Sequence, residues 1–291
     1  MGSSAVHKGQ QQGIALIQVL LISMVVSLLA LYFVGSSRDQ VTMASLLQQR
    51  AKAQLEVHSA RNRMLFSLMT HQTFETSSSS DAVVNHWRFD GKPFEFGGVE
   101  YRLQDQSGLV GARFPNKEYL NPLIESQLGG VNAERMRQSL IDWQNPKVES
   151  QLNAVNQGLN GAEVRKGGML SLNELRFIPN WGPKSAGVMT PYLTLYFANF
   201  FSISSAPDAV IRALFPDVAD SLISLKNERR LTRQTFSQAT GEYPDASFVF
   251  YPGPYIEVSV TASSGESIVT ESWVIKSQAT EKEPYLVLEN R

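Results

Sequence analysis

The chain opens with a polar leader that is followed by a long apolar run. Residues 1–13 are mostly polar and end at Gly13, and apolar residues then predominate from Ile14 to Val34. A helix over this run would reach about 30 Å, which is enough to cross the hydrocarbon core of a bilayer. The pattern therefore predicts one transmembrane segment over residues 14–35.

The most obvious processing junction, Gly13–Ile14, precedes the apolar run. A secretory signal peptide carries its small-residue cleavage site after the apolar region, so cleavage removes that region. Here the apolar segment would survive cleavage as an anchor. We therefore expect residues 1–13 to be a leader peptide, with Gly13 and Ile14 as the processing site. The alternative is an ordinary signal anchor in which Gly13 has no role.

Helical periodicity continues beyond the predicted span. No proline occurs between Ser36 and Met69, and apolar residues recur there at spacings of three and four. We expect one helix from Ile14 to near Met69, about 80 Å long, whose second half packs on a globular head. The alternative is a span followed by a separate short helix. The polar stretch Thr76–Ser80 then predicts a flexible linker.

One apolar line on this helix is a candidate partner surface. Leu47, Ala51 and Leu55 follow one another at helical spacing. Burial of each leucine is worth about 1.5–3 kcal/mol by transfer estimates. We predict that these three residues bind a partner. The alternative is that they face the protein's own sheet.

Strand patterns lie on both sides of a helical region. Residues 99–104 alternate apolar and polar positions, and the turn signal at Asp105–Gly108 predicts a hairpin with residues 109–114 as its second strand. Strand patterns return near the end of the chain, at residues 255–261, 268–276 and 284–289. Between these two regions, helical signals cover residues 132–142, 171–176, 207–214 and 218–225.

A short capping box marks one of these helix starts. Ser171 is the expected N-cap, and Glu174 follows three residues later. Because strands enclose the helices, we predict an α+β fold in which the long N-terminal helix packs on an antiparallel sheet and an all-helical domain is inserted between the strands. The predicted boundaries are 1–13 for the leader, 14–35 for the transmembrane segment, 36–120 for the helix, linker and first strands, 121–233 for the inserted domain, and 234–291 for the final strands.

Composition and charge narrow the classes of function. The chain is 43% hydrophobic and 18% charged with a net charge of -1, which is typical of folded domains and argues against nucleic-acid binding. The absence of cysteine excludes disulfides and thiolate metal sites. Lys8 lies before the span and only Arg38 opposes it, so we expect the bulk of the chain on the periplasmic side of the inner membrane.

Catalytic patterns are weak. None of the four histidines lies in a His-Glu-x-x-His motif, and neither a Gly-x-Ser-x-Gly elbow nor a phosphate-binding glycine loop is present. Glu174 and Asp142 would be the best acid and base pair. A helix cap and a solvated helix end explain them better, so we expect a protein that is not an enzyme.

The leader and its uncleaved span resemble the type IV prepilin signature, in which a dedicated peptidase cuts after the glycine and methylates the new amino terminus. Nearly the whole chain resembles the K-type minor pseudopilins of the bacterial type II secretion system, within the prepilin-like superfamily. Four stretches carry this resemblance, in the family's order: Tyr101–Gly108, Leu140–Trp143, Leu170–Pro179 and Phe201–Pro216. Membership would imply a non-enzymatic protein at the pseudopilus tip, with the I and J minor pseudopilins, the major pseudopilin and the prepilin peptidase as partners.

Two positions depart from the family's patterns. Pilins usually have glutamate five residues beyond the cut, where the carboxylate is thought to pair with the neighbouring amino terminus, and this chain has Gln18. Because a carboxylate in hydrocarbon needs a partner, its loss indicates a subunit with none above it, so Gln18 marks a tip position. Calcium is reported for some members. The stretch Asp142–Lys147 has lost most of the expected carboxylates, so we assign no calcium ligands and expect no cofactor.

Two other functions remain open at this point. The chain would also fit a minor pilin of a related type IV pilus system. It would fit, too, a membrane-anchored periplasmic binding or enzymatic domain that merely carries a prepilin-like leader.

Overall fold

The computed structural model describes residues 11–73, 79–145, 167–196, 198–277 and 285–290, and it describes only the backbone of residues 11–14. Most of the predicted leader, residues 1–10, and most of the predicted linker, residues 76–78, lie outside this part of the chain. Two compact units are distinguished. One holds the described chain up to Leu55 together with Ser263–Val269, and the other holds Glu56–Ala262 with the C-terminal strands.

Helix α1 runs without a break from Gln11 to Thr70. The prediction of one long helix is therefore confirmed, and the alternative of two separate helices is wrong. The helix continues through Gly35, although glycine in a helix interior costs about 1 kcal/mol relative to alanine. Its N-terminal part is long and apolar enough to cross a membrane, and none of that apolar window is buried.

In the first unit, the tip of a hairpin contacts α1. The backbone N–H of Glu266 donates to Oε1 of Gln49 at 2.9 Å. Gly265 beside it has a φ of +57°, and a Cβ there would lie 2.4 Å from the same oxygen. Position 265 therefore favours glycine because of its backbone conformation.

The main sheet has five strands. These are β1 (Asp90–Phe96), β2 (Val99–Asp105), β7 (Tyr255–Ser264), β8 (Ser267–Ser277) and β9 (Tyr285–Asn290). Their order is β1-β2-β7-β8-β9. The pairs β1–β2, β2–β7 and β8–β9 are antiparallel. The strands predicted near the end of the chain are thus confirmed.

The predicted first hairpin is wrong. Strand β2 pairs with β1, which precedes it, through the turn Gly97–Gly98. Both of these glycines have positive φ values, 62° and 78°, which suit a tight two-residue turn. Residues 109–114 contain only the two-residue strand β3 (Val110–Gly111), which pairs elsewhere.

The second half of α1 packs on the sheet, as predicted. The Arg61 guanidinium lies 3.6 Å from a carboxylate oxygen of Glu271 and stacks over the Trp273 ring at 4.9 Å. Arg63 covers the ring of Phe96 in the same way, at 4.5 Å. The buried face of this half of the helix consists of Val57, Ala60, Met64, Leu65 and Leu68.

The segment between β2 and β7 is mainly helical. Its helices are α3 (Lys117–Leu128), α4 (Ala133–Gln144), α5 (Gly182–Met189), α6 (Asp208–Leu214), α7 (Ala219–Asn227) and α8 (Arg233–Thr240). A further short helix, α2 (Ala82–His86), precedes β1. The segment also contains two small parallel sheets. Strand β3 pairs with β4 (Leu193–Thr194), and β5 (Phe201–Ser202) pairs with β6 (Phe248–Val249).

This insertion has its own hydrophobic core. The fully buried side chains at its centre include Leu120, Ile124, Leu140, Leu175 and Val210. They come from α3, α4 and α6 and from the 3₁₀ helix Leu172–Phe177. The predicted start of the inserted domain, residue 121, falls within α3, and its predicted end, residue 233, is the first residue of α8.

Candidate functional site

The predicted partner line on α1 is exposed. Leu47 is 63% exposed and Leu55 is 68% exposed, and Ala51 between them is exposed as well. Ala53, which lies about 200° around the helix from Ala51 and Leu55, is fully buried. Both the binding of a partner there and the alternative of a contact with the protein's own sheet stay predictions.

The apolar N-terminal part of α1 is exposed on all sides. Its large side chains from Leu16 to Val34 are each at least half exposed. The hydroxyl of Ser23 donates to the Val19 carbonyl at 2.8 Å, and the Ser27 hydroxyl donates to the Ser23 carbonyl at 2.8 Å. Because these hydroxyls are satisfied within the helix, they do not oppose its placement in hydrocarbon.

The predicted processing and tip residues lie on this same helix. Gly13 and Ile14 are in the first turn of α1, where only the backbone is described. Gln18 is exposed among the apolar residues. The cleavage site and the tip position stay predictions.

Two of the stretches that carry the family resemblance are joined by one hydrogen bond. The Trp143 indole N–H donates to Oε2 of Glu174 at 3.1 Å. Oε1 of Glu174 accepts from the backbone N–H groups of Leu170 and Ser171, at 3.0 and 3.3 Å. The predicted capping box is confirmed. Glu174 is thus held by donors on two elements, which is the geometry of a structural carboxylate.

Two more of these stretches, Tyr101–Gly108 and Phe201–Pro216, are in contact around Asp105. Sequence reasoning treated Asp105 as part of a turn. Its carboxylate accepts from the Ser107 backbone at 2.9 Å and from the Ser107 hydroxyl at 2.6 Å. Ser205 and the Gly253 backbone also donate to it. Burial raises the pKa of Asp105 despite these four donors. A Cβ at Gly108 would lie 2.5 Å from the Ser205 backbone, so the chain segments approach too closely for any side chain.

The side chain of Ser202 has a clear structural role. Ser202 is fully buried, and its hydroxyl donates to the Tyr251 carbonyl at 2.9 Å and to the Ser205 hydroxyl at 3.0 Å. These bonds hold the β5 segment against the chain that leads into β7. A small hydroxyl therefore performs the local bridging that this position requires.

A buried ionic network joins the insertion to the sheet. The ammonium group of Lys226 on α7 donates to Asp208 at 2.6 Å and to the Ala206 carbonyl at 2.7 Å. It also lies 3.2 Å from the carboxylate of Asp90, the first residue of β1. Arg88 pairs with the same carboxylate at 2.9 Å.

The pKa directions agree with this geometry. Burial alone would raise the pKa of Asp90, but the hydrogen bond from Arg88 and the charge of Lys226 lower it below its ordinary value. The pKa of Asp208 is likewise lowered, because the hydrogen bonds from Lys226 and Lys92 outweigh its burial. Sequence reasoning missed this network, because Lys226 lies more than a hundred residues from Asp90 and no motif links them.

In the stretch Asp142–Lys147, which was considered for calcium, Gln144 makes hydrogen bonds within the fold. Gln144 donates to the Ala112 carbonyl at 2.9 Å and accepts from the Met169 backbone at 3.1 Å. Pro146 and Lys147, the end of the segment, lie outside the described residues. In the part of the chain that the structure describes, no group of three or more histidine, aspartate or glutamate side chains is placed to hold a metal ion.

The architecture defines a class of protein. A long N-terminal helix that is apolar over a bilayer's length and then packs on an antiparallel sheet, with a helical insertion between the strands, is a pilin-like α+β fold. No protein-family model matches the chain, and no curated protein does. Among solved structures, the chain is similar to one chain of the GspK-GspI-GspJ complex from the type 2 secretion system of enterotoxigenic Escherichia coli. That match has 13% sequence identity and a TM-score of 0.49, and it covers 88% of this chain and 98% of the other.

Proposed function

We propose that this protein is a non-enzymatic minor pseudopilin at the tip of a type II secretion pseudopilus. It would initiate or cap assembly of the pseudopilus, which exports folded proteins across the outer membrane. Its single span would lie in the inner membrane, with the sheet and the insertion in the periplasm. The prepilin peptidase would cut after Gly13 and methylate Ile14.

The observation that carries this proposal is the continuity of α1. This helix of 60 residues has an exposed, apolar N-terminal part that is long enough to cross a bilayer. Its C-terminal part has a face that is buried against the protein's own sheet. A merely anchored enzyme or binding domain needs only a span and a linker, and a rigid helical extension adds nothing to it. A subunit that stacks its helix beside others in a fibre requires such an extension.

The exposed line on α1 supports the assignment of partners. Leu47, Ala51 and Leu55 present exposed apolar surface. Contiguous apolar surface of this kind is typical of interaction sites. We propose that the line packs against the helices of I-type and J-type minor pseudopilins, and that the major pseudopilin follows below. Gln18, which replaces the usual glutamate, supports a position with no subunit above it.

The carboxylates considered for catalysis support a structural role. Glu174 caps a helix and binds Trp143, and Asp142 accepts a hydrogen bond from Gln138 on its own helix at 2.8 Å. The proposal therefore rests on assembly and needs no reaction.

Secretion provides the test. Deletion of the gene should stop export of folded exoproteins, and the intact chain should restore export. The matched control keeps residues 36–291 but carries an unrelated single-pass anchor of the same orientation. This control should reach the membrane and fail to restore export, because the helix that enters the fibre is gone. Full restoration by the control would show that the chain is only an anchored domain, and the proposal would be wrong.

A further inference from the structure

The two edges of the five-stranded sheet differ in how they are protected. Unpaired edge strands attract other strands, and proteins counter this with proline, charges or irregular pairing. Strand β1 has all three devices. It contains Pro93 and the charged Lys92 and Glu95, and its pairing with β2 is irregular between Asp90 and Pro93.

Strand β9, at the opposite edge, is far less protected. Its sequence is Tyr-Leu-Val-Leu-Glu-Asn, without proline or lysine. Leu286, Val287 and Leu288 are 41%, 44% and 43% exposed, so apolar side chains are open on both faces of the strand. Its pairing with β8 passes from Glu289 directly to Val287, so Leu288 forms a bulge that has no partner on β8.

We infer that β9 pairs with β9 of a second copy of this chain, antiparallel and about a twofold axis. The strand's sequence is self-complementary when Val287 lies on the axis. With Val287 on the axis, Leu286 lies opposite Leu288 of the partner subunit, and Tyr285 lies opposite Glu289 of the partner subunit. The three apolar residues then meet apolar residues only, and the two Glu289 carboxylates stay apart. Cross-strand pairs of this kind are stabilising, and like charges placed opposite one another are not.

The neighbouring register is less favourable. With Leu288 on the axis, Val287 would lie opposite a charged Glu289, and Leu286 would lie opposite Asn290. Of these two registers, the composition of β9 favours the one with Val287 on the axis. Because only a six-residue strand is paired, the contact is small, and we expect a weak, reversible dimer. This inference does not depend on the proposed function, since it concerns the edge of the sheet and not the long helix.

Cysteine crosslinking tests the inference directly, because the chain has no cysteine of its own. Residues directly opposite on antiparallel strands have Cα atoms about 4.5–5.5 Å apart, within the range that a disulfide spans. The full-length Val287→Cys variant, oxidised in native membranes, should form a disulfide-linked homodimer. Ile268→Cys is the control. Its residue is 71% exposed and lies on β8, away from the edge, so it should crosslink several-fold less.

A second substitution separates specific pairing from random collision. Adding Leu288→Lys to Val287→Cys places a charge opposite Leu286 of the partner subunit at both ends of the contact. The dimer yield should then fall to the level of Ile268→Cys, whereas adding Thr270→Lys on β8 should leave it unchanged. Melting temperatures would verify that each variant folds.

Three results would overturn the inference. The first is a Val287→Cys dimer no stronger than the Ile268→Cys background. The second is a dimer that the Leu288→Lys change leaves intact. The third is a crosslinked product whose mass corresponds to a different protein, which would assign this edge to another partner.

Discussion

The ammonium group of Lys226 lies 3.2 Å from the carboxylate of Asp90, and the two side chains are only 2% and 1% exposed. Lys226 belongs to the helical insertion, and Asp90 is the first residue of the sheet. Burying two charges costs several kcal/mol each, and only close pairing with further hydrogen bonds offsets that cost. The interaction therefore fixes one position of the insertion against β1.

Removal of the lysine should weaken the fold strongly. In Lys226→Met, Asp90 keeps Arg88 but loses its buried partner, and we expect a loss of about 3–5 kcal/mol in the free energy of unfolding. Arg212→Met is the control, because Arg212 and its partner Asp220 are 53% and 87% exposed, and it should cost less than about 1 kcal/mol. Denaturant unfolding measures both. Equal losses for the two variants would contradict the importance of burial.

The same network should make the fold sensitive to acid. The pKa values of Asp90 and Asp208 are lowered in the folded state. Their contribution is therefore complete above the unfolded value of about 3.9, and it is lost as the pH falls through the lower folded values. The melting temperature should drop steeply below about pH 4. Asp208→Asn should be less stable at neutral pH and should show a shallower drop. A parallel pH profile in the two proteins would count against this explanation.

The long helix and the last strands were predictable because each follows one hydrophobic period over many residues. The first hairpin was not. Strand β1 contains Gly91, Lys92 and Pro93, which disrupt the alternation that identifies a strand. The turn signal at Asp105–Gly108 was real, but it reflects a 3₁₀ helix capped by the buried Asp105 and the close approach of Gly108 to Ser205. Local sequence indicates a reversal of the chain without indicating which strand pairs with it.

The candidate site was predictable to a similar extent. The spacing of Leu47, Ala51 and Leu55 identified an apolar line, but only the structure distinguishes it from the buried line that begins at Ala53. The partners of Glu174 were predictable only in part. Its capping box follows from local spacing, whereas its bond to Trp143 depends on how two helices pack.

Charges introduced on the exposed line should separate binding from folding. Because Leu47 and Leu55 are exposed, Leu47→Asp with Leu55→Asp should change the free energy of unfolding by no more than about 0.5 kcal/mol per substitution. The variant should nevertheless lose co-purification with the other minor pseudopilins from detergent-solubilised membranes. Ala53→Asp, on the buried face, should lower the melting temperature sharply. Retained co-purification in the double variant would place the interface elsewhere.

Substitutions at Gln18 test where this subunit lies within the fibre. If no subunit lies above this one, a glutamate at position 18 has no amino terminus to pair with and should bring no gain. Secretion by Gln18→Glu should therefore equal or fall below that of the unaltered chain, and Gln18→Ala should still support it. A large gain with glutamate, or an absolute requirement for Gln18, would argue for a position inside the fibre.

The intact mass of the protein purified from the inner membrane tests the central claim most directly. A pseudopilin must lose residues 1–13 and gain one methyl group at the amino terminus of Ile14. Gly13→Leu should keep the full leader, because a residue without a side chain is what lets the peptidase approach the backbone. We predict the shortened, methylated mass for the unaltered chain and the full mass for Gly13→Leu. A mature protein that retains Met1 to Gly13 would contradict the account.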